Sequence, residues 1–113
     1  MSSVSAIAAS GMRAAEQRLE VSARNVANAS GGLPGDAPDE VVKAFAALRA
    51  DPVETRGGGT AVNVRAFPDR TGAEVDLVQE AVQQLTARYA FVANAKVLQA
   101  DARMRKSLLD IKT

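Results

Sequence analysis

The sequence predicts a mainly helical fold: two long terminal helices packed as a coiled-coil-like hairpin, with a short irregular or β-hairpin segment between them. The distribution of Gly and Pro is the first reason. Residues 30–73 hold seven of the eight Gly and all four Pro, whereas residues 74–113 contain neither. Because these residues interrupt helices, the chain divides into an N-terminal helix (1–29), a middle segment (30–73) and a C-terminal helix (74–113). The second reason is apolar periodicity at both ends.

The N-terminal segment carries one apolar stripe at helical spacing. Its members are Val4, Ala8, Met12, Ala15, Leu19, Ala23 and Val26. Ser2 or Ser3 can cap the start of this helix, and Gly31 suits a left-handed helix end. Gly11 lies in mid-helix, where it costs about 1 kcal/mol relative to Ala. A close approach by another helix would be a reason to tolerate it.

The C-terminal segment carries a longer stripe, also at spacings of three and four. It comprises Val75, Val78, Val82, Leu85, Tyr89, Ala93, Val97, Ala100, Met104, Leu108 and Ile111. Thr71 and Glu74 fit a capping box at its start. The two helices would be roughly 40 and 55 Å long. A small globule cannot enclose such lengths, so we expect the helices to pair with each other, with neighbouring chains, or with both.

The middle segment predicts a short helix followed by a strand. Pro38 suits the first position of a helix whose capping residue is Asp36 or Ala37. Val41, Phe45 and Leu48 would share one face of that helix, and Pro52 would end it. Residues 60–67 alternate in polarity as a strand does and could pair with residues 53–55. The glycines at 57–59 lack the Lys-Ser or Lys-Thr of a phosphate-binding loop and indicate a turn.

Composition argues against an enzyme. The chain contains no Cys and no His, which removes thiolate zinc sites and every Ser-His or Cys-His arrangement. The acidic residues do not have calcium-loop spacing, so we expect no metal, no cofactor, no small-molecule substrate and no catalytic residue. With 14 basic and 13 acidic residues, the chain has no charge excess to attract nucleic acid or an anionic membrane.

We expect neither a cleavable signal peptide nor a membrane-spanning segment from the sequence. Residues 1–10 lack the basic and apolar regions of a cleavable signal peptide. Nothing approaches 18 consecutive apolar residues, so we expect no membrane insertion. On periodicity alone, the two stripes permit a monomeric hairpin core, a membrane-surface helix, or a seam for other chains. The mixed charges of the polar faces disfavour the membrane-surface helix.

A resemblance to a known family narrows these alternatives. Residues 10–29 read S-G-M-R-A-A-E-Q-R-L-E-V-S-A-R-N-V-A-N-A, which resembles the N-terminal signature of flagellar basal-body rod and hook proteins, a helix ending in A-x-N-[IVL]-A-N-A. Residues 75–78 resemble the V-D-V-V that opens the family's C-terminal helix. Residues 87–89 and 93–95 resemble its A-x-R-x-Y-x-A-N segment. The run at residues 17–21 is most similar to proximal rod members.

The resemblance implies a structural subunit that catalyses nothing. Such proteins leave the cytoplasm through the flagellar type III export apparatus and stack helically into the periplasmic rod of the basal body. Their partners are other rod subunits and copies of themselves, and their terminal helices form the inner layer. The implied assembly seam comprises Met12, Leu19, Val26, Val82, Leu85, Tyr89, Val97, Met104 and Leu108. Asn25, Asn28 and Asn94 match polar motif positions. The alternative function is a stand-alone helical module that binds one partner helix, unrelated to flagella.

Overall fold

Three helices and two strands make up the chain in the computed structural model, which describes residues 3–29, 38–44, 46–71 and 75–111. In chain order they are α1 (Val4–Ala29), α2 (Asp39–Ala44), β1 (Ala46–Glu54), β2 (Thr60–Thr71) and α3 (Leu77–Ile111). The predicted fold class is confirmed: two long terminal helices pack together and a two-stranded antiparallel hairpin lies between them in the chain.

Side-chain caps set where the two long helices begin. Ser3 Oγ accepts a hydrogen bond from the backbone N–H of Ala6 at 3.2 Å, so the predicted serine cap of α1 is Ser3. At α3, Asp76 Oδ1 accepts from the N–H groups of Val78 and Gln79 at 3.0 and 3.3 Å. The cap of α3 is therefore Asp76 and not the predicted Thr71, which is the last residue of β2. A carboxylate at this position also suits the helix dipole. Glu74 of the predicted capping box and the helix end predicted at Gly31 lie outside the described residues.

The hairpin differs from the expected middle segment. The helix predicted to run from Pro38 to Pro52 ends at Ala44, and residues 46–54 form β1 instead. β1 pairs with β2 from Leu48 opposite Ala66 to Glu54 opposite Thr60. The apolar spacing of residues 41–48 was compatible with a helix, but pairing with β2 outweighs that local preference. The tight turn was predicted correctly, since Gly57 and Gly58 have φ of 95° and 89°, which L side chains rarely adopt.

The two long helices run antiparallel along most of α1. Near its start, Ser5 Oγ accepts a 3.4 Å hydrogen bond from Arg105. Near its end, Ser22 Oγ donates to the carbonyl of Glu80 at 3.1 Å. The hairpin packs against α1, where Ala46 and Ala47 are buried.

The molecule is elongated. Its principal extents are 73 × 26 × 16 Å and its radius of gyration is 18.9 Å, where a compact domain of this length would have about 13 Å. The accessible surface is 8117 Å², against about 5,900 Å² for a compact monomer of this mass. A chain of this shape leaves long helix faces uncovered.

Candidate assembly surface

The contact between α1 and α3 is built mostly from small and polar side chains. The residues of α1 that are buried or half-buried toward α3 repeat at alternating spacings of three and four: Ala8, Gly11, Ala15, Arg18, Ser22 and Asn25. The corresponding residues of α3 are Glu80, Gln84, Ala87, Phe91, Asn94, Leu98 and Asp101. Both sets follow a seven-residue repeat, which is the spacing of a coiled coil. We call this contact the inner seam.

Small residues let the two helices of the inner seam approach closely. Ala87 of α3 is only 1% exposed. No other residue in the described part of α3 is buried. Gly11 of α1 lies against the carboxamide of Asn94. Because Ala and Gly bury little apolar area each, this contact brings limited hydrophobic stabilisation.

Phe91 and Leu98 are the large apolar residues of α3 in the inner seam, whereas eight others follow one exposed stripe. We call these eight the outer stripe: Val78, Val82, Leu85, Tyr89, Val97, Met104, Leu108 and Ile111, all of which are exposed. Tyr89, for example, is 67% exposed. This arrangement is the reverse of an ordinary amphipathic helix, whose large apolar face lies inward. Exposed apolar surface of this extent is typical of a protein interface.

The outer stripe contains every α3 residue of the predicted assembly seam. The three predicted seam residues of α1 are distributed differently: Leu19 is 43% exposed, whereas Met12 and Val26 are half-buried. The α3 part of the predicted seam is therefore exposed in the structure. Contact of these residues with another chain stays a prediction.

A groove joins the two helices on the side where Leu19 and Leu85 emerge. It has a volume of about 420 Å³. Ala15 and Ala87 are buried at its base, and Leu19, Leu85 and Phe91 line it. Glu16, Gln84 and Arg88 are the polar residues that border it. An apolar groove with a polar border can accommodate side chains from another helix. We call it the α1–α3 groove.

Asn25 joins three elements of the fold. Its Nδ2 donates to the carbonyl of Leu48 at 2.7 Å, and its Oδ1 accepts from the N–H of the same residue at 2.9 Å. Nδ2 also lies 3.2 Å from Glu80 Oε1. The carboxamide therefore pairs with β1 as a neighbouring strand would and holds the start of α3 as well. Asn25 is 2% exposed, so these polar groups have no access to water.

The other two motif asparagines have different surroundings. Asn94 Nδ2 donates to the carbonyl of Ala90 within α3 at 2.8 Å. Asn28 is half-buried near the end of α1, and its side chain makes no hydrogen bond to the described residues. The predicted contacts of these residues with neighbouring subunits remain predictions.

A small ionic cluster joins the two strands. Asp51 accepts from Arg49 Nε at 2.7 Å and from Arg65 Nη2 at 2.6 Å. The Arg65 guanidinium, followed by that of Arg49, lowers the pKa of the Asp51 carboxyl. Arg49 and Arg65 are exposed and Asp51 is half-buried. The contact between Arg65 and Asp51 is a cross-strand ion pair, whereas Arg49 and Asp51 lie on the same strand.

The described residues contain no cluster of metal-binding side chains. No group of three or more Asp and Glu side chains among them could hold a metal ion. A bilayer could not be crossed by any of the helices in the described part of the chain.

Sequence periodicity alone did not reveal the inner seam. Four of its seven α3 residues are polar or charged, and the α1 set consists mostly of Ala, Gly and polar residues. The sequence feature that corresponds to the inner seam is instead the seven-residue spacing of small side chains, and Gly11 is one of them. Apolar periodicity is dominated by large side chains, and most of the large apolar side chains of α3 lie on its exposed surface.

The C-terminal part of the chain is similar to a known protein family. Residues 71–111, which include all of α3, match the family described as Flagellar basal body rod FlgEFG protein C-terminal. The match covers just over a third of the chain and does not distinguish between members of the family. No curated protein matches the chain. The C-terminal segment of this chain therefore matches the flagellar basal body rod family, whose proteins are structural and non-enzymatic.

Proposed function

We propose that the chain is a structural subunit of the flagellar basal-body rod, which assembles helically through its terminal helices and transmits torque. The outer stripe of α3 is the observation that carries the proposal. It lies within the segment that matches the rod family, and it leaves a row of large apolar side chains exposed to solvent. Burying one Leu or Val gains about 1.5–3 kcal/mol, so contacts along α3 would stabilise an assembly strongly.

The partners proposed on this basis are copies of the chain and other rod subunits. The seam would include Met12, Leu19 and Val26 of α1 together with the outer stripe of α3. The subunit would pass through the flagellar type III export apparatus and function in the periplasm. The surface in excess of a compact monomer supports such an assembly, because a specific interface buries about 1,600 Å² in total.

The finer proposal is that the subunit occupies the proximal rod, as FlgC does. The run Gln17-Arg18-Leu19 followed by Val21 supports it, whereas the family description names FlgE, FlgF and FlgG. Complementation distinguishes these positions. We expect the chain to restore complete basal bodies in cells that lack FlgC, and not in cells that lack one of the other three proteins. The reverse pattern would identify it as a counterpart of FlgE, FlgF or FlgG instead.

The general proposal is tested by truncating one side chain of the outer stripe. We expect Leu85→Ala to reduce swimming and the number of complete basal bodies seen by electron microscopy. Val53→Ala is the matched control, because Val53 is also an exposed aliphatic side chain but lies on β1. Normal swimming by Leu85→Ala would contradict the proposal. A stable monomer that binds one partner helix and never joins a basal body would indicate the stand-alone binding module.

A further inference from the structure

We propose that the α1–α3 groove binds the C-terminal half of the outer stripe from a second copy of the chain. That half, the C-terminal stripe, comprises Val97, Met104, Leu108 and Ile111. Copies would then associate head to tail along the axis of α3. The proposal rests on the proposed function, since it names the partner and the register of the assembly contact.

The shape and chemistry of the groove suit an apolar helix face. Its base is formed by Ala15 and Ala87, whose short side chains leave space above the inner seam. Leu19 and Leu85 project at its edges and are 43% and 54% exposed. A helix that presents large side chains at spacings of three and four could place them between these leucines.

The C-terminal stripe provides such a face on the same chain. Met104, Leu108 and Ile111 follow one another at spacings of four and three. Arg105 contacts Ser5 near the start of α1, and α3 continues for six more residues to Ile111. The described part of α1 therefore offers little cover to the end of α3.

Charges beside the two surfaces are complementary. On the α1 side, Glu16 borders the α1–α3 groove and Glu20 lies one turn further along the helix, whereas on the α3 side the groove is bordered by Arg88. Arg103 and Lys106 are exposed next to the C-terminal stripe. Opposite charges at the border of an apolar contact favour one register over others and make association depend on salt.

The groove and the C-terminal stripe lie at different positions on one helix. Their centres are about 20 residues apart, which corresponds to roughly 30 Å along α3. A contact between two different surfaces of identical chains is heterologous, and it generates an open array unless a rotation closes it. Each copy in such an array would offer a free groove at one end and a free C-terminal stripe at the other.

The absence of natural Cys makes disulfide cross-linking a direct test. Glu16→Cys places a thiol at the groove, and Ser107→Cys places one beside the C-terminal stripe. Both positions are exposed, so the substitutions leave the fold intact. Arg56→Cys, in the exposed turn of the hairpin, is the control. Each variant is purified alone, and pairs are mixed under mild oxidation at a concentration where sedimentation detects association.

We expect the Glu16→Cys and Ser107→Cys mixture to cross-link at least about tenfold faster than the Arg56→Cys and Ser107→Cys mixture, because bound copies hold the thiols together. A chain that carries both substitutions should form a ladder of covalent multimers. Faster self-linking of either single variant would show a symmetric contact and overturn the proposal. Equal rates in both mixtures, or no association of the parent chain, would overturn it as well.

The complementation experiment distinguishes a failure of the proposed function from a failure of the head-to-tail contact. If the parent chain restores basal bodies and Leu85→Ala does not, while the groove and stripe thiols fail to link, then the head-to-tail contact alone is wrong. If the parent chain restores no rod, the proposed function is wrong, whatever the cross-linking shows.

Discussion

The carboxamide of Asn94 occupies the space in which a side chain on Gly11 would begin. A Cβ built on Gly11 would lie 2.6 Å from Asn94 Nδ2 and 2.7 Å from its Cγ. The carboxamide is held in place by the hydrogen bond from Nδ2 to the carbonyl of Ala90. The close approach that the sequence suggested for a mid-helix glycine is therefore confirmed, and the approaching group is a motif asparagine of α3.

We expect Gly11→Ala to destabilise the chain although Ala is the better helix former. Helix propensity alone would favour Ala by about 1 kcal/mol. The added methyl group, however, must displace Asn94 or separate the helices, and overpacking costs about 1–3 kcal/mol. A net loss of about 1 kcal/mol should appear in urea unfolding followed by far-UV circular dichroism.

The double variant provides the control for this interpretation. With Asn94→Ala the space beside residue 11 is free, so the same Gly11→Ala change should become stabilising by up to about 1 kcal/mol. An equal effect of Gly11→Ala in both backgrounds would show that the contact with Asn94 is energetically unimportant.

Asn25→Ala should be among the more destabilising single substitutions. It would leave the N–H and C=O of Leu48 without their side-chain partner, and each unsatisfied buried group costs about 1–3 kcal/mol. We expect a loss of about 2–3 kcal/mol in unfolding free energy. Amide hydrogen exchange gives a local measurement, since the Leu48 N–H should lose its protection.

Asn28→Ala is the matched control, because Asn28 lies three residues after Asn25 in the same motif but its side chain has no hydrogen bond to the described residues. It should change stability by less than about 0.5 kcal/mol. Similar losses for both asparagines would mean that the motif acts through helix propensity, not through the contact of Asn25 with β1.

Acid should weaken the strand-to-strand ion cluster. The folded state lowers the pKa of Asp51 from its ordinary value of 3.8 through Arg65 and Arg49. A lowered folded pKa contributes stability that is present above the ordinary value and is lost as pH falls through the folded value. The melting temperature of the parent chain should therefore exceed that of Asp51→Asn at neutral pH, and the difference should shrink below about pH 4.

Salt provides a second check on the cluster. Because Arg49 and Arg65 are exposed and Asp51 is only half-buried, added salt should also reduce the difference between the parent chain and Asp51→Asn. A difference that persists unchanged at low pH would mean that the carboxamide substitution disturbs β1 by another route.

Much of the architecture could be predicted from the sequence because it depends on local signals. The Gly and Pro distribution separated the helices from the middle segment, Ser2 or Ser3 indicated the start of α1, and the glycines near residue 57 indicated the turn. The strand at residues 46–54 could not be predicted, since its pairing with β2 and its contact with Asn25 join residues that are distant in sequence. Apolar periodicity located the outer stripe, but it could not show that smaller residues form the intramolecular contact.

Two residues of α3 that differ in exposure should separate folding from assembly. Leu85 is 54% exposed and Ala87 is 1% exposed. Leu85→Ala removes little that the monomer buries, so its unfolding free energy should change by less than about 0.5 kcal/mol. Its association should weaken by about 2–3 kcal/mol, since a Leu buried between chains is lost. Ala87→Leu should do the opposite, costing the monomer about 1–3 kcal/mol by overpacking the inner seam. Urea unfolding at low concentration measures the first effect and sedimentation measures the second. If Leu85→Ala destabilised the monomer and left association unchanged, the outer stripe would not be an assembly surface.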